Sequence, residues 1–257
     1  MLPSIVEIEG HCAILTINNP PANTWTLTSL RQLRDTIEQL NLKPEIRALI
    51  ITGAGTKFFS AGADLKQFAE GDKALAATVA AAFGAAFETL SQFRGVSIAA
   101  INGYAMGGGL EVALACDIRI AEEQAQLALP EASVGLLPCA GGTQNLTALV
   151  GEGWAKRMIL CGERLTAAKA LAIGLIEEVV ASGSALQQAL KLASLVEHQS
   201  PASVTACKRL IQSGRHMPRS QALPLERELF VALFDTEDQQ EGVNAFIEKR
   251  PAHWHNQ

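Results

Sequence analysis

Disulfide and metal-ligand spacings are missing from this sequence. Its five cysteines, Cys12, Cys116, Cys139, Cys161 and Cys207, are odd in number, widely spaced and form no C-x-x-C pair, which excludes a disulfide framework and a zinc-ribbon pattern. His11, His198, His216, His253 and His255 are scattered without H-E-x-x-H spacing, so no metal is expected. There is no basic stripe, and the net charge is −5, which argues against nucleic acid or an anionic membrane as partner. We read no apolar run of spanning length, and the start Met1 to Glu7 lacks a charged n-region followed by an apolar segment. These absences predict a cytoplasmic chain with reduced thiols. Neither G-x-x-x-x-G-K-[ST] nor G-x-G-x-x-G occurs around Gly103 to Gly109, so phosphate cradling is disfavoured.

What is present is enough apolar material for a large core, 48% of 257 residues with 18% charged, and an ordered alternation of strand and helix signals. Ile5 to Glu9 and Cys12 to Asn18 read as two strands about a Gly10-His11 turn. Ser29 with Gln32 fits a capping box, and Leu30, Leu33, Ile37 and Leu40 form one helical stripe. Ala48 to Thr52 is a buried-type strand stopped by Gly53-Ala54-Gly55, and Lys57 to Leu65 reads as a loop. An Ala-rich helix is expected over Asp72 to Phe93, strands at Ser97 to Ile101 and Ile118 to Ala121, and a helix over Gly142 to Leu160. Pro130 confines any strand near Leu127 to an edge or an end. After a strand at Glu178 to Val180 the periodicity is helical throughout. The expected class is α/β followed by an α-helical C-terminal region, with the only boundary near Glu197 to Pro201. Leu225, Leu229, Val231 and Leu233 mark an apolar face on the tail, read as packing against another subunit.

Chemistry concentrates in Ser97 to Asp117. Gly107-Gly108-Gly109 opens an apolar helix, and three successive glycines there are costly unless bare backbone must approach something closely. The first N–H groups of a helix have no intrahelical partner and lie at its positive end, so this start can hold an oxyanion. Glu111 follows Gly108 by one turn and places an acid or base beside that site. Complementing the helix dipole is an equal alternative role for it.

The residues Phe58-Phe59-Ser60-Ala61-Gly62-Ala63-Asp64-Leu65, Asn102 to Glu111, Leu129-Pro130-Glu131 and Pro138 to Gln144, in this order and spacing, resemble the enoyl-CoA hydratase/isomerase (crotonase) superfamily. The resemblance spans nearly the whole chain and is strongest to the hydratases. It implies a crotonase-like spiral of repeated ββα units over residues 1–197, carrying the active site, and a helical oligomerisation region over 198–257. It further implies an acyl-CoA thioester substrate, no cofactor, no membrane or nucleic-acid partner, and a homotrimer or homohexamer. By the same resemblance the thioester oxygen is held by the N–H groups of Ala63 and Gly108. Glu111 activates water, Glu131 protonates C2, and Ala61, Asp64, Leu65, Gly109 and Cys139 lie along CoA or substrate. The reaction implied is reversible hydration of a trans-2-enoyl-CoA, in degradation of fatty acids or related acyl-CoAs. A Δ3,Δ2-enoyl-CoA isomerase, which typically keeps only the second glutamate, and a non-catalytic binding subunit are the competing readings. Cys139 stands where the family usually has glycine and Asn145 where arginine is common. The Cys139 thiol either crowds the attacking water or is a tolerated small side chain.

Overall fold

The computed structural model describes residues 4–255; the Met1 to Pro3 start, read above for a signal, lies outside them. The chain begins with an antiparallel hairpin, β1 (Ser4–Glu9) and β2 (Cys12–Ile17), turned at Gly10. Helix α1 (Leu27–Asn41) follows and buries Leu30, Leu33, Ile37 and Leu40. Its cap lies one turn earlier than the sequence reading placed it: Thr26 is the N-cap and Ser29 the returning member of the capping box. Serine can return the bond that Glu or Gln usually supplies, which is why the cap escaped the pattern.

Three successive windings then each lay one strand in each of two sheets. They are β3 (Ala48–Gly53) with β4 (Phe58–Ser60) before α2 (Lys73–Ser91), β5 (Val96–Ile101) with β6 (Tyr104–Met106) before α3 (Gly108–Ala115), and β7 (Ile118–Glu122) with β8 (Gln126–Ala128) before α4 (Gly142–Leu160). Strand β9 (Leu165–Thr166), helix α5 (Ala167–Ala172) and strand β10 (Glu178–Val180) close the spiral, and α6 (Ala185–Val196) covers it. One sheet runs β1-β2-β3-β5-β7-β10 and the other β4-β6-β8-β9. Pairing is parallel except at β1/β2 and β8/β9.

Strands β2, β3, β5 and β7 of the larger sheet are buried on both faces, as parallel sheets are, whereas the edge strand β1 is exposed. Leu15, Leu49, Ile51, Ala99 and Ile101 point into the main core with the inner faces of α1 and α2. Their alternating neighbours Ile14, Ile50, Ile98 and Ile120 pack against Ala185, Ala189 and Ala193 of α6. Strand period sets this division, since successive side chains leave on opposite faces. The tail is α7 (Pro201–Ser213), α8 (Arg219–Ala232), a short 3-10 turn at Leu233–Asp235, and α9 (Glu237–Glu248). The expected α/β class with a helical C-terminal region is what the structure shows.

One expectation is corrected. Among the described residues one helix, α2, is long and apolar enough to cross a membrane by length and composition. Its hydropathy comes largely from alanines, and Val79, Phe83, Ala86, Phe87 and Leu90 are packed into the core.

Candidate active site

The site grows from the junction of β6 and α3. Gly107 has φ 55, in the left-handed region that glycine tolerates, and its carbonyl accepts the N–H groups of Leu110 and Glu111. A Cβ on Gly107 would stand 3.0 Å from Glu131 Oε1. One on Gly109 would collide with the Ser60 carbonyl, so this glycine exists to let α3 lie against β4. The close approach expected of the glycines is therefore partly to the chain itself.

That packing brings two loops together. The Gly62 Cα faces Met106 O and the Gly108 nitrogen, at 2.7 and 3.0 Å from where a Cβ would be. Trp25 anchors the first loop, since its N–H donates to Gly62 O at 2.8 Å and its carbonyl accepts from Asp64 N–H at 3.0 Å. Its indole lies against Gly108 and packs edge-on to Phe87. Between those bonds the Ala63 N–H has no backbone acceptor among the described residues, and neither has that of Gly108. The sequence offers Trp25 as a candidate for the pocket lining, but its pairing with a loop 38 residues on has no local signal.

Two carboxyl groups face the same cavity in different surroundings. Glu111 sits in the first turn of α3, 2% exposed, and its Oε1 accepts N–H bonds from Ala140 at 2.8 Å and Gly142 at 2.9 Å. Gly142 is the first residue of α4, so the positive end of that helix points at the carboxylate. Burial pushes the Glu111 carboxyl upward, opposed by the N–H groups of Ala140, Gly142 and Cys139. Glu131 opens a 3-10 turn, Glu131–Val134, and its Oε2 is buried without a hydrogen-bond partner. Burial, with the charge of Glu111 adding to it, raises Glu131 to about 7. Hydrogen bonding to the ionised form favours a base, and desolvation without a partner favours an acid.

The cavity has a volume of about 540 Å³, within the usual range for small-molecule sites. Of the residues singled out from sequence, Ala61, Ala63, Leu65, Glu111, Glu131 and Cys139 line it. Gly108 and Gly109 are buried at the start of α3, and Asp64 caps the 3-10 turn at Leu65–Phe68 through Lys66 N–H. Phe83 and Leu137 line the cavity, whereas Trp25 and Phe87 belong to the core. The Cys139 thiol is raised to about 11 by burial and then by Glu111 and Glu131. Its side chain is exposed to the cavity, and the raised value keeps it largely protonated at neutral pH, which disfavours it as a nucleophile. Among the described residues no group of three or more His, Cys, Asp or Glu side chains is placed to hold a metal ion.

The profile of the enoyl-CoA hydratase/isomerase family matches residues 7–257. The chain is 40% identical over 247 residues to the 2,3-dehydroadipyl-CoA hydratase of Escherichia coli K12, covering 96% of each chain. It is 38% identical over 247 residues to the short-chain-enoyl-CoA hydratase of Clostridium acetobutylicum, covering 96% of this chain and 95% of the relative. A solved structure of Pseudomonas aeruginosa DspI superposes with a TM-score of 0.97 at 63% identity, covering 99% of this chain and 97% of the other.

Proposed function

This chain belongs to the enoyl-CoA hydratase/isomerase (crotonase) family and is an enzyme of the enoyl-CoA hydratase type; from that premise we propose that it adds water reversibly to a trans-2-enoyl-CoA, giving a 3-hydroxyacyl-CoA, in degradation of fatty acids or related acyl-CoAs. The observation that carries this reading is the pair of unlike carboxyls in one cavity: Glu111 held by two N–H bonds, Glu131 raised to about 7.

Glu111 takes a proton from water as the water oxygen bonds to C3. The electron pair of the C2–C3 double bond moves onto the thioester, and its oxygen rests on the N–H groups of Ala63 and Gly108. Glu131 then delivers its proton to C2, and the roles reverse in dehydration. Losing one donor of such an oxyanion hole costs about 3 kcal/mol in well-studied cases. CoA belongs to the substrate, and the reaction needs no further cofactor. Ala61 and Leu65, which line the cavity, are assigned to the CoA side, with Asp64 acting there through the 3-10 turn that it caps. An isomerase needs only a shuttle such as Glu131, so a second carboxylate furnished with its own N–H groups supports hydration over isomerisation. The same expenditure argues against a non-catalytic subunit.

We also propose that residues 1–197 form the catalytic unit and 198–257 an assembly unit that builds a homotrimer or homohexamer. Phe230, Phe234, Phe246 and Ile247 of the tail are exposed within one chain, which supports this assignment.

An absorbance assay of crotonyl-CoA with purified protein tests the reaction. Wild type is expected to bleach the enoyl band. Glu111→Gln and Glu131→Gln should each lower kcat by about 10²-fold or more with thioester binding nearly intact. Rates within a few-fold of wild type for both would reject the two-acid mechanism.

A further inference from the structure

Resting on the hydratase reading, we propose that this site selects enoyl-CoAs with an uncharged hydrocarbon acyl chain and rejects those whose chain ends in a carboxylate. The distinction matters because the relative that is 40% identical is named for a 2,3-dehydroadipyl thioester, whose acyl chain carries a second carboxyl.

Among the described residues no lysine, arginine or histidine lines the cavity, and the only charged groups there are Glu111 and Glu131. A distal carboxylate entering it would leave water for a site that offers no cation and already holds two acids. An uncompensated buried charge is strongly disfavoured, and like charges add to the cost. The wall suits a hydrocarbon. Phe83 touches the position of Gly108, and Ala80 and Ala76 continue the same face of α2 one and two turns away. At 1.5 Å per residue this face extends about 10 Å from Phe83. It is smooth because its members are alanine, and it is opposed by Val134, Leu136 and Leu137, all exposed apolar side chains on the loop after Glu131. A hydrocarbon chain lying across them would cover this apolar surface. Specificity by an unpaired charge is rejection, which discriminates more sharply than one more methylene of contact.

Hexanoyl-CoA and adipyl-CoA have acyl chains of equal carbon number and differ in the terminal carboxyl. Calorimetric titration of wild type with each is expected to give a dissociation constant at least about tenfold lower for hexanoyl-CoA. Ala80→Arg, which adds a cation to the alanine face, should narrow that ratio. The corresponding 2-enoyl thioesters, assayed for hydration alongside crotonyl-CoA, should follow the same order in kcat/KM. A binding ratio below about tenfold, or preference for adipyl-CoA, overturns the proposal. So does an unchanged ratio in a folded Ala80→Arg protein, because the acyl chain would then not run along α2. If none of the enoyl thioesters is hydrated, the hydratase reading fails, and the binding ratio still decides this one.

Discussion

The spiral and the tail treat their apolar side chains differently. In the spiral, Leu15, Ile51, Phe59, Phe87 and Ile101 are buried by the chain itself. Helices α7 and α8 bury no residue completely, and Phe230 is 63% exposed, Phe234 58%, Phe246 86% and Ile247 70%. Leu225, Leu229 and Leu233 are half-buried on one side of α8, while Phe230 and Phe234 pack edge-on to each other on its open side. Polar bonds join the two regions: Lys208 of α7 donates to Phe93 O, Gly95 O and Asp117 Oδ2. Apolar surface in the spiral is buried by the chain and specifies the fold, whereas in the tail it stays exposed within one chain.

The sharpest way to break this contrast is to substitute on each side of it. Gly109→Ala forces a Cβ into the Ser60 backbone, which cannot swing aside as a side chain would. The expected cost is more than about 3 kcal/mol, read as a large drop in denaturation midpoint, because overpacking against backbone is among the severest single changes. A midpoint near wild type would mean that α3 does not rest on β4 in this way.

Phe246→Ser with Phe230→Ser should change assembly instead. Light scattering of wild type is expected to give a multiple of 27.3 kDa, and the double variant should shift toward the single-chain mass. A wild-type monomer would reject the reading of the tail as an assembly surface.

The sequence made some of this legible. The helix opened by Gly107 to Gly109 and the placement of Glu111 are local, set by spacing within one turn, and β10 and α4 carry signals of their own. Strands β4, β6 and β9 have two or three residues each, too few to show a period, and β4 and β6 exist because they pair across 46 residues of chain. The Glu111 environment was hidden for the same reason, since Ala140 and Gly142 lie 29 and 31 residues away. The sequence reading places Val231 on one face with Leu225, Leu229 and Leu233; the structure half-buries the three leucines and leaves Val231 exposed with Phe230 and Phe234. Helical period alone does not say which side a partner covers.

A smaller effect is expected at Cys139, whose side chain lies on the cavity wall beside both carboxyls. Its thiol takes volume a glycine would leave to water. Cys139→Gly should raise hydration of a short enoyl-CoA by a few-fold and leave any 3-enoyl to 2-enoyl isomerisation little changed. Parallel assays of the two reactions check this, and an unchanged ratio would mean that the thiol does not crowd the water.

The central claim is that Glu111 and Glu131 share one working proton, and the pH dependence of kcat/KM in both directions tests it most directly. Hydration needs Glu111 ionised and Glu131 protonated; dehydration needs the reverse placement of the same single proton. The pair therefore titrates as a unit, and both directions lose activity together as that proton leaves. With Glu131 raised to about 7, the account predicts a hydration profile whose basic limb begins near pH 7; the dehydration profile must parallel it, because the reaction takes up no net proton. A flat profile through neutrality would contradict it.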